Sequence, residues 1–131
     1  MNIIEWSENL SIGRYAIDEQ HKELINLINN VAEIIKQKDY TFSNIVFVVN
    51  KLDDYVDKHF KYEEIIMDEC SFPGKKEHVK EHDLARKKMN EINIFDQESF
   101  KEEFLSNTLN WLFLWLVNHI MNTDKKLEPY L

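Results

Sequence analysis

The residues of this chain best suited to chemistry are its five histidines, His21, His59, His78, His82 and His119, with Glu63 beside them. His59 and Glu63 are four positions apart, as are His78 and His82, a spacing that stacks two side chains one turn apart on a single helix face. A lone histidine on an apolar face is most often a satisfied core residue. Five on such faces, with a glutamate among them, are a different case. Each buried polar group costs a few kcal/mol unless a partner satisfies it. One shared metal site supplies partners to all of them at once.

These residues sit in four stripes of helical periodicity. The first is His21, Leu24, Ile28, Val31 and Ile35, and the second Ile45, Val49, Leu52, Val56, His59, Glu63 and Ile66. The third is His78, His82, Ala85, Met89 and Ile92, and the fourth Leu105, Thr108, Leu112, Trp115 and His119. Steps of three and four put each set on one helix face. The expected helices cover approximately 18–38, 42–69, 73–92 and 99–122, after an arm of residues 1–17 that packs across them. Asp18 is read as the cap of the first helix, Thr41 or Ser43 of the second, and Asp96 or Ser99 of the fourth. Pro73 is read as an early residue of the third, where its missing N–H does no harm. The connections are short, so consecutive helices run antiparallel. The expected fold is therefore all-α, an up-down-up-down four-helix bundle forming one domain over 1–131.

That topology tests the metal idea. His21 is near the start of the first helix, and His59 and Glu63 are late in the second. His78 and His82 open the third, and His119 is near the end of the fourth. In an antiparallel bundle all of these fall at one end, which core packing alone does not require. Asp124 fits less well. It lies five residues beyond His119, about 140° off that face in a regular helix. By periodicity alone it reads as a surface residue, and it reaches the site only if the helix loosens or ends near 121–123.

Composition excludes several alternatives. Two glycines and two prolines leave too few turn residues for a β-sandwich or barrel, and no glycine-rich phosphate loop is found. A net charge of −8 disfavours nucleic acid. The longest apolar run, residues 111–117, is too short to span a bilayer. Cys70 is the single cysteine, so no internal disulfide forms. The N-terminal residues show no signal peptide, and with a free thiol this reads as a cytoplasmic protein. Lys75, Lys76, Lys80, Arg86, Lys87 and Lys88 read as a solvated face of the third helix, Met67 and Met89 as core filler, and Trp111 and Trp115 as large core residues.

The chain resembles the hemerythrin family, in particular its stand-alone bacterial members. The resemblance runs through Trp6, IDEQHKEL around His21, HFKYEE from His59 to Glu63, FPGKKEHVKEH through His82, and WLVNHIMNTDKKL through Asp124. Phe72 stands where many relatives have Tyr. The resemblance implies two non-haem iron ions (Fe2+/Fe3+) joined by a bridging oxide or hydroxide. His78, His82 and His119 would bind one ion and His21 and His59 the other, with Glu63 and Asp124 bridging. The second ion then keeps an open position for O2, or for azide and similar anions in the diferric state. The same donors suit zinc and manganese. No Glu-x-x-His occurs, which separates the chain from carboxylate-rich ferritin-like enzymes.

The function expected on this resemblance is reversible O2 binding for carriage, storage, scavenging or sensing, without catalysis. The alternative is a di-iron enzyme reducing peroxide or nitric oxide. The chain is expected to be a monomer that binds neither nucleic acid nor membrane, with a redox partner that the sequence does not identify. A pocket wall of Trp111, Leu112, Trp115 and Leu116 is expected beside the open position.

Overall fold

In the computed structural model, residues 5–92, 98 and 100–131 are described. Helix α1 spans Tyr15–Gln37, α2 Phe42–Glu69, α3 Lys75–Asn90 and α4 Glu102–Asn118. Helices α1 and α2, α2 and α3, α3 and α4, and α4 and α1 are packed neighbours. That ring of contacts is a four-helix bundle, and no strand is present among the described residues. Among the same residues, no helix is long and apolar enough to cross a membrane.

The apolar stripes become the core. Ile28, Ile45, Leu52 and Leu109 are fully buried, and Leu24, Val31, Val49, Ala85, Met89, Leu105 and Leu112 pack with them. This cluster runs from beside the histidines to the opposite end of the bundle. There the Tyr40 hydroxyl donates to Glu102, tying the α1–α2 connection to the start of α4.

The helix starts differ from the sequence reading in instructive ways. Thr41 caps α2 as expected, its side chain accepting from the Asn44 N–H at 3.1 Å. Asp18 does not cap α1, which begins at Tyr15. Its carboxylate instead accepts from Ser11 Oγ at 2.5 Å and the Ile12 N–H at 2.9 Å. Asp18 thus anchors the arm, whose Leu10 and Ile12 are buried, to the first turn of the helix. Gly13, at φ +81°, makes the bend into α1 that a residue with a Cβ rarely adopts. Pro73 lies in the turn before α3, with Gly74 at the cap position, rather than inside the helix. Asp96 and Ser99 fall outside the described residues, and α4 begins at Glu102.

Around α3 the cations are matched by acids. Lys75 pairs with Asp68, Lys80 with Glu77, Lys88 with Glu91, and Arg86 with Glu64 and Asp83. Met67 and Met89 are buried, as their apolar setting required.

The Thr41 cap lies at the end of the bundle opposite the histidines. Thr41→Ala should lower stability by about 1 kcal/mol through the lost cap while leaving metal content unchanged. Chemical denaturation and metal analysis of the same preparation check both parts.

Candidate metal centre

The five histidines, Glu63 and Asp124 are brought together in one buried cluster, none more than 1% exposed. α1 supplies His21, α2 supplies His59 and Glu63, and α3 supplies His78 and His82. His119 ends the regular part of α4. The backbone then widens into a single π turn over His119–Thr123, in which the Asp124 N–H bonds to the His119 carbonyl. This i to i+5 step adds a residue to the turn. It places Asp124 back on the face of His119, with Asp124 Oδ1 3.1 Å from His119 Nε2. The surface position given by straight-helix periodicity is thereby corrected: Asp124 is fully buried.

Each carboxylate divides its two oxygens between two groups of imidazoles. Glu63 Oε1 lies 3.3 Å from His78 Nε2 and 3.0 Å from His82 Nε2, and 4.0 Å from His119 Nε2. Glu63 Oε2 lies 3.3 Å from His21 Nε2 and 3.1 Å from His59 Nε2. Asp124 repeats the division. Its Oδ1 faces His78 and His119, at 3.0 and 3.1 Å, and its Oδ2 faces His21, at 3.0 Å. Two overlapping donor groups result, one of Glu63, Asp124, His78, His82 and His119, the other of Glu63, Asp124, His21 and His59.

The protein alone does not satisfy these atoms. Both Asp124 oxygens, His59 Nε2 and His119 Nε2 are buried without a hydrogen-bond partner among the described residues. Unmet buried polar groups cost roughly 1–3 kcal/mol apiece, more when charged. A cation between the nitrogens and the oxygens removes that cost, so this donor set fits metal ions.

The outward nitrogens are held by residues that sequence reasoning missed. His59 Nδ1 meets Gln20 Oε1 at 2.7 Å, His82 Nδ1 meets Glu64 Oε2 at 2.8 Å, and His119 Nδ1 meets Glu81 Oε1 at 3.0 Å. An acceptor on Nδ1 fixes the proton there and leaves the Nε2 lone pair free to face inward. Glu81 also accepts from Thr123 Oγ1, at 2.7 and 2.9 Å, and so clamps the π turn as well. In the sequence these three residues pass for surface polar groups. The available signal was adjacency: each is next to a cluster residue in sequence, while its side chain serves a histidine on the following helix.

Electrostatics follow from the same contacts. Burial opposes charge at His21, but Asp124 and Glu63 outweigh it and raise its pKa from 6.5 to about 9. His119 is raised well above its ordinary value by Asp124 and Glu63, again against burial. His59 is lowered, because burial dominates there. Burial also works to raise Glu63 and Asp124, yet the surrounding imidazoles hold both below the ordinary carboxylate range. Protons on His21 and His119 therefore partly balance the two carboxylates whenever no metal does.

The aromatic neighbours are specific too. Phe60 stacks on His82 with ring centroids 4.1 Å apart. Trp115 stacks on His119 at 4.5 Å and is half-buried, as is Trp111. Of the expected pocket wall, Leu112 and Leu116 are buried in the core. The two tryptophans are half-buried and pack against that core. Cys70 makes only a long contact to the Met67 carbonyl, at 3.8 Å, and has no place in the cluster.

Comparison with known proteins agrees with this geometry. The profile of the hemerythrin HHE cation binding domain matches residues 13–131. The chain is 30% identical over 119 residues to a bacteriohemerythrin of Pseudomonas aeruginosa, an alignment covering 91% of this chain and 75% of that one. It is 24% identical over 123 residues to a bacteriohemerythrin of Clostridium acetobutylicum, covering 92% and 95% of the two chains. It is also 28% identical over 127 residues to a hemerythrin-like protein of Naegleria gruberi, covering 96% and 92%.

Two outcomes test the site. The His21 proton stabilises the metal-free fold fully below pH 6.5, and that contribution is lost as pH rises through about 9. A shift of this size corresponds to about 3 kcal/mol, and His119 shifts in the same direction. The melting temperature of the metal-free chain should therefore fall across this window, while metal affinity rises as the ligands lose their protons. A melting temperature that does not change from pH 6.5 to 9 contradicts the charge arrangement. Separately, Glu81→Ala should weaken metal binding by roughly 10–100-fold, measured by competition with a chelator.

Proposed function

The chain belongs to the hemerythrin family, and on that premise we propose that it is a non-haem di-iron protein that binds O2 reversibly. The observation carrying this reading is that Glu63 turns one oxygen to His78, His82 and His119 and the other to His21 and His59, while Asp124 turns one to His78 and His119 and the other to His21. In the proposed site His78, His82 and His119 would hold one iron ion and His21 and His59 the other, with Glu63 and Asp124 available to both. The two-histidine side offers one nitrogen fewer, so it is the side with room for a small ligand. A ferrous pair would supply the two electrons and the open coordination that reversible O2 capture needs.

The rest is done by the protein's own residues. Gln20, Glu64 and Glu81 keep three imidazoles aimed inward. Leu24, Phe60, Leu116 and Ile120, all buried, keep the surroundings apolar and exclude water. All five histidines are engaged in the cluster, so none is spare as a general acid. An apolar setting without a free histidine slows proton delivery and favours release of O2 over its reduction.

Two measurements decide the matter. Protein produced in iron-rich medium should hold two irons per chain, because seven donors exceed what one ion uses. A single ion, or two zinc ions, defeats the di-iron proposal. Anaerobic titration of the reduced protein with O2 should give a spectrum that reverses on deoxygenation. Sustained turnover of O2, peroxide or nitric oxide at many cycles per second would replace the binding function with an enzymatic one.

A further inference from the structure

Three aromatic rings on α4 form a continuous stack from the surface to the cluster. Trp111, Trp115 and His119 are spaced by four residues, so they lie along one stripe of the helix. The rings of Trp111 and Trp115 are 6.3 Å apart between centroids and within 16° of parallel. Those of Trp115 and His119 are 4.5 Å apart and within 13° of parallel. Trp115 also meets Phe60 edge-on at 5.5 Å, and Phe60 in turn stacks on His82. At the outer end, Lys88 Nζ sits over the Trp111 ring, 5.4 Å from its centroid.

Both tryptophans pack against the core while keeping part of each ring at the surface, so the stack joins the interior to solvent. Core filling asks nothing of ring orientation, yet two successive pairs are near-parallel. We propose that Trp111 and Trp115 form the electron-transfer port of the metal centre, carrying single electrons from a reduced flavin at Trp111 through Trp115 to His119. This rests on the di-iron reading given above.

The physical case is the gap between π systems. Tunnelling falls exponentially with distance through saturated groups, and stacked rings shorten the saturated stretches. His119 completes the path because its Nε2 faces the cluster while its ring face lies on Trp115. Oxidation of an O2-binding pair to the diferric state ends its function until two electrons return. Each use of the port moves one electron and no atoms. Two uses convert both ferric ions to ferrous, and one reduced flavin gives up two electrons in succession, releasing its protons to solvent.

Charge around the port suits that donor. The chain carries a net charge of −8, but no Asp, Glu, Lys or Arg occurs from Phe104 to Thr123. Trp111 thus stands on a stretch of α4 without charge, next to the Lys88 ammonium, which lies over its ring and also pairs with Glu91 at 3.6 Å, so that a flavin phosphate would compete with Glu91 for this cation. An anionic donor is repelled elsewhere and least opposed here.

The test uses iron-loaded protein in the diferric state and photoreduced flavin mononucleotide as donor, without O2. Reduction is followed by loss of the ferric absorbance in stopped flow. Trp115→Leu and Trp111→Leu should each slow reduction by on the order of tenfold. Trp115→Phe, which keeps a ring in the stack, should recover most of the rate, and Trp6→Phe should leave it unchanged. Midpoint potentials of the variants should match the wild type, which separates a lost path from a changed driving force. Free tryptophan emission gives a reading independent of reduction: ferric loading should quench Trp111 and Trp115 strongly, and zinc loading should not. Should Trp115→Leu fail to fold, Trp111→Leu, at the half-exposed end, carries the test alone. Equal reduction rates in Trp111→Leu and the wild type overturn the port. Iron content and reversible O2 uptake report separately on the di-iron reading, so the two can fail independently.

Discussion

Two carboxylates buried without solvent exposure govern this structure. Glu63 and Asp124 face each other across the centre of the bundle, and neither reaches water. A buried carboxylate stays ionised only if positive charge or strong donors surround it. The chain meets that demand with five imidazoles drawn from all four helices, and the remaining demand is for cations. Moving any one helix outward would strand charge in an apolar interior. The bundle's register at this end is therefore set by electrostatics, where the opposite end is set by the packing of Ile28, Ile45, Leu52 and Leu109.

The supporting contacts run in chain order around the bundle. Gln20 on α1 holds His59 on α2, Glu64 on α2 holds His82 on α3, and Glu81 on α3 holds His119 on α4. Each contact fixes the tilt of one imidazole and also ties one helix to the next. Orientation of the donors and docking of the helices are thus the same set of hydrogen bonds. Arg86 extends the arrangement by binding Glu64 from outside at 2.9 and 3.1 Å. Burial works against ionisation of Glu64, but His82 and Arg86 together bring its pKa down to about 2, so the acceptor stays charged across the physiological range.

Much of this was legible in the sequence, and the exceptions share a cause. The helical stripes placed the apolar core and all five histidines because regular helices convert spacing into facing. Asp124 escaped that logic, since a single π turn changes the spacing rule over five residues and nothing in HIMNT announces it by propensity. Only resemblance to a known family pointed to Asp124 beforehand. Asp18 reads as a helix cap because a carboxylate at the start of a helix has two uses, and tertiary contact with Ser11 and Ile12 selects the other. Gln20, Glu64 and Glu81 were hidden for a related reason. Their partners are remote in sequence, and a polar residue that reaches sideways between helices has the same local pattern as one that points to solvent.

The ring of supporting contacts is unequal, and the inequality bears on chemistry. His82 and His119 lean on carboxylates, Glu64 and Glu81, which push electron density onto the imidazoles. His59 leans on the neutral amide of Gln20, and among the described residues neither His21 Nδ1 nor, on the other side, His78 Nδ1 has a hydrogen-bond partner. The three-histidine side is therefore the more strongly donating of the two, in number of nitrogens and in the charge behind them. Metal ions held at the two sides would feel different fields even with Glu63 and Asp124 shared equally. The side poorer in donors is the one on which a small ligand adds most to an ion's coordination. The side richer in donors carries the aromatic stack that leads outward along α4. On the proposed reading, ligand capture and electron supply would fall on opposite sides of a pair of carboxylates, served by residues that also hold four helices together.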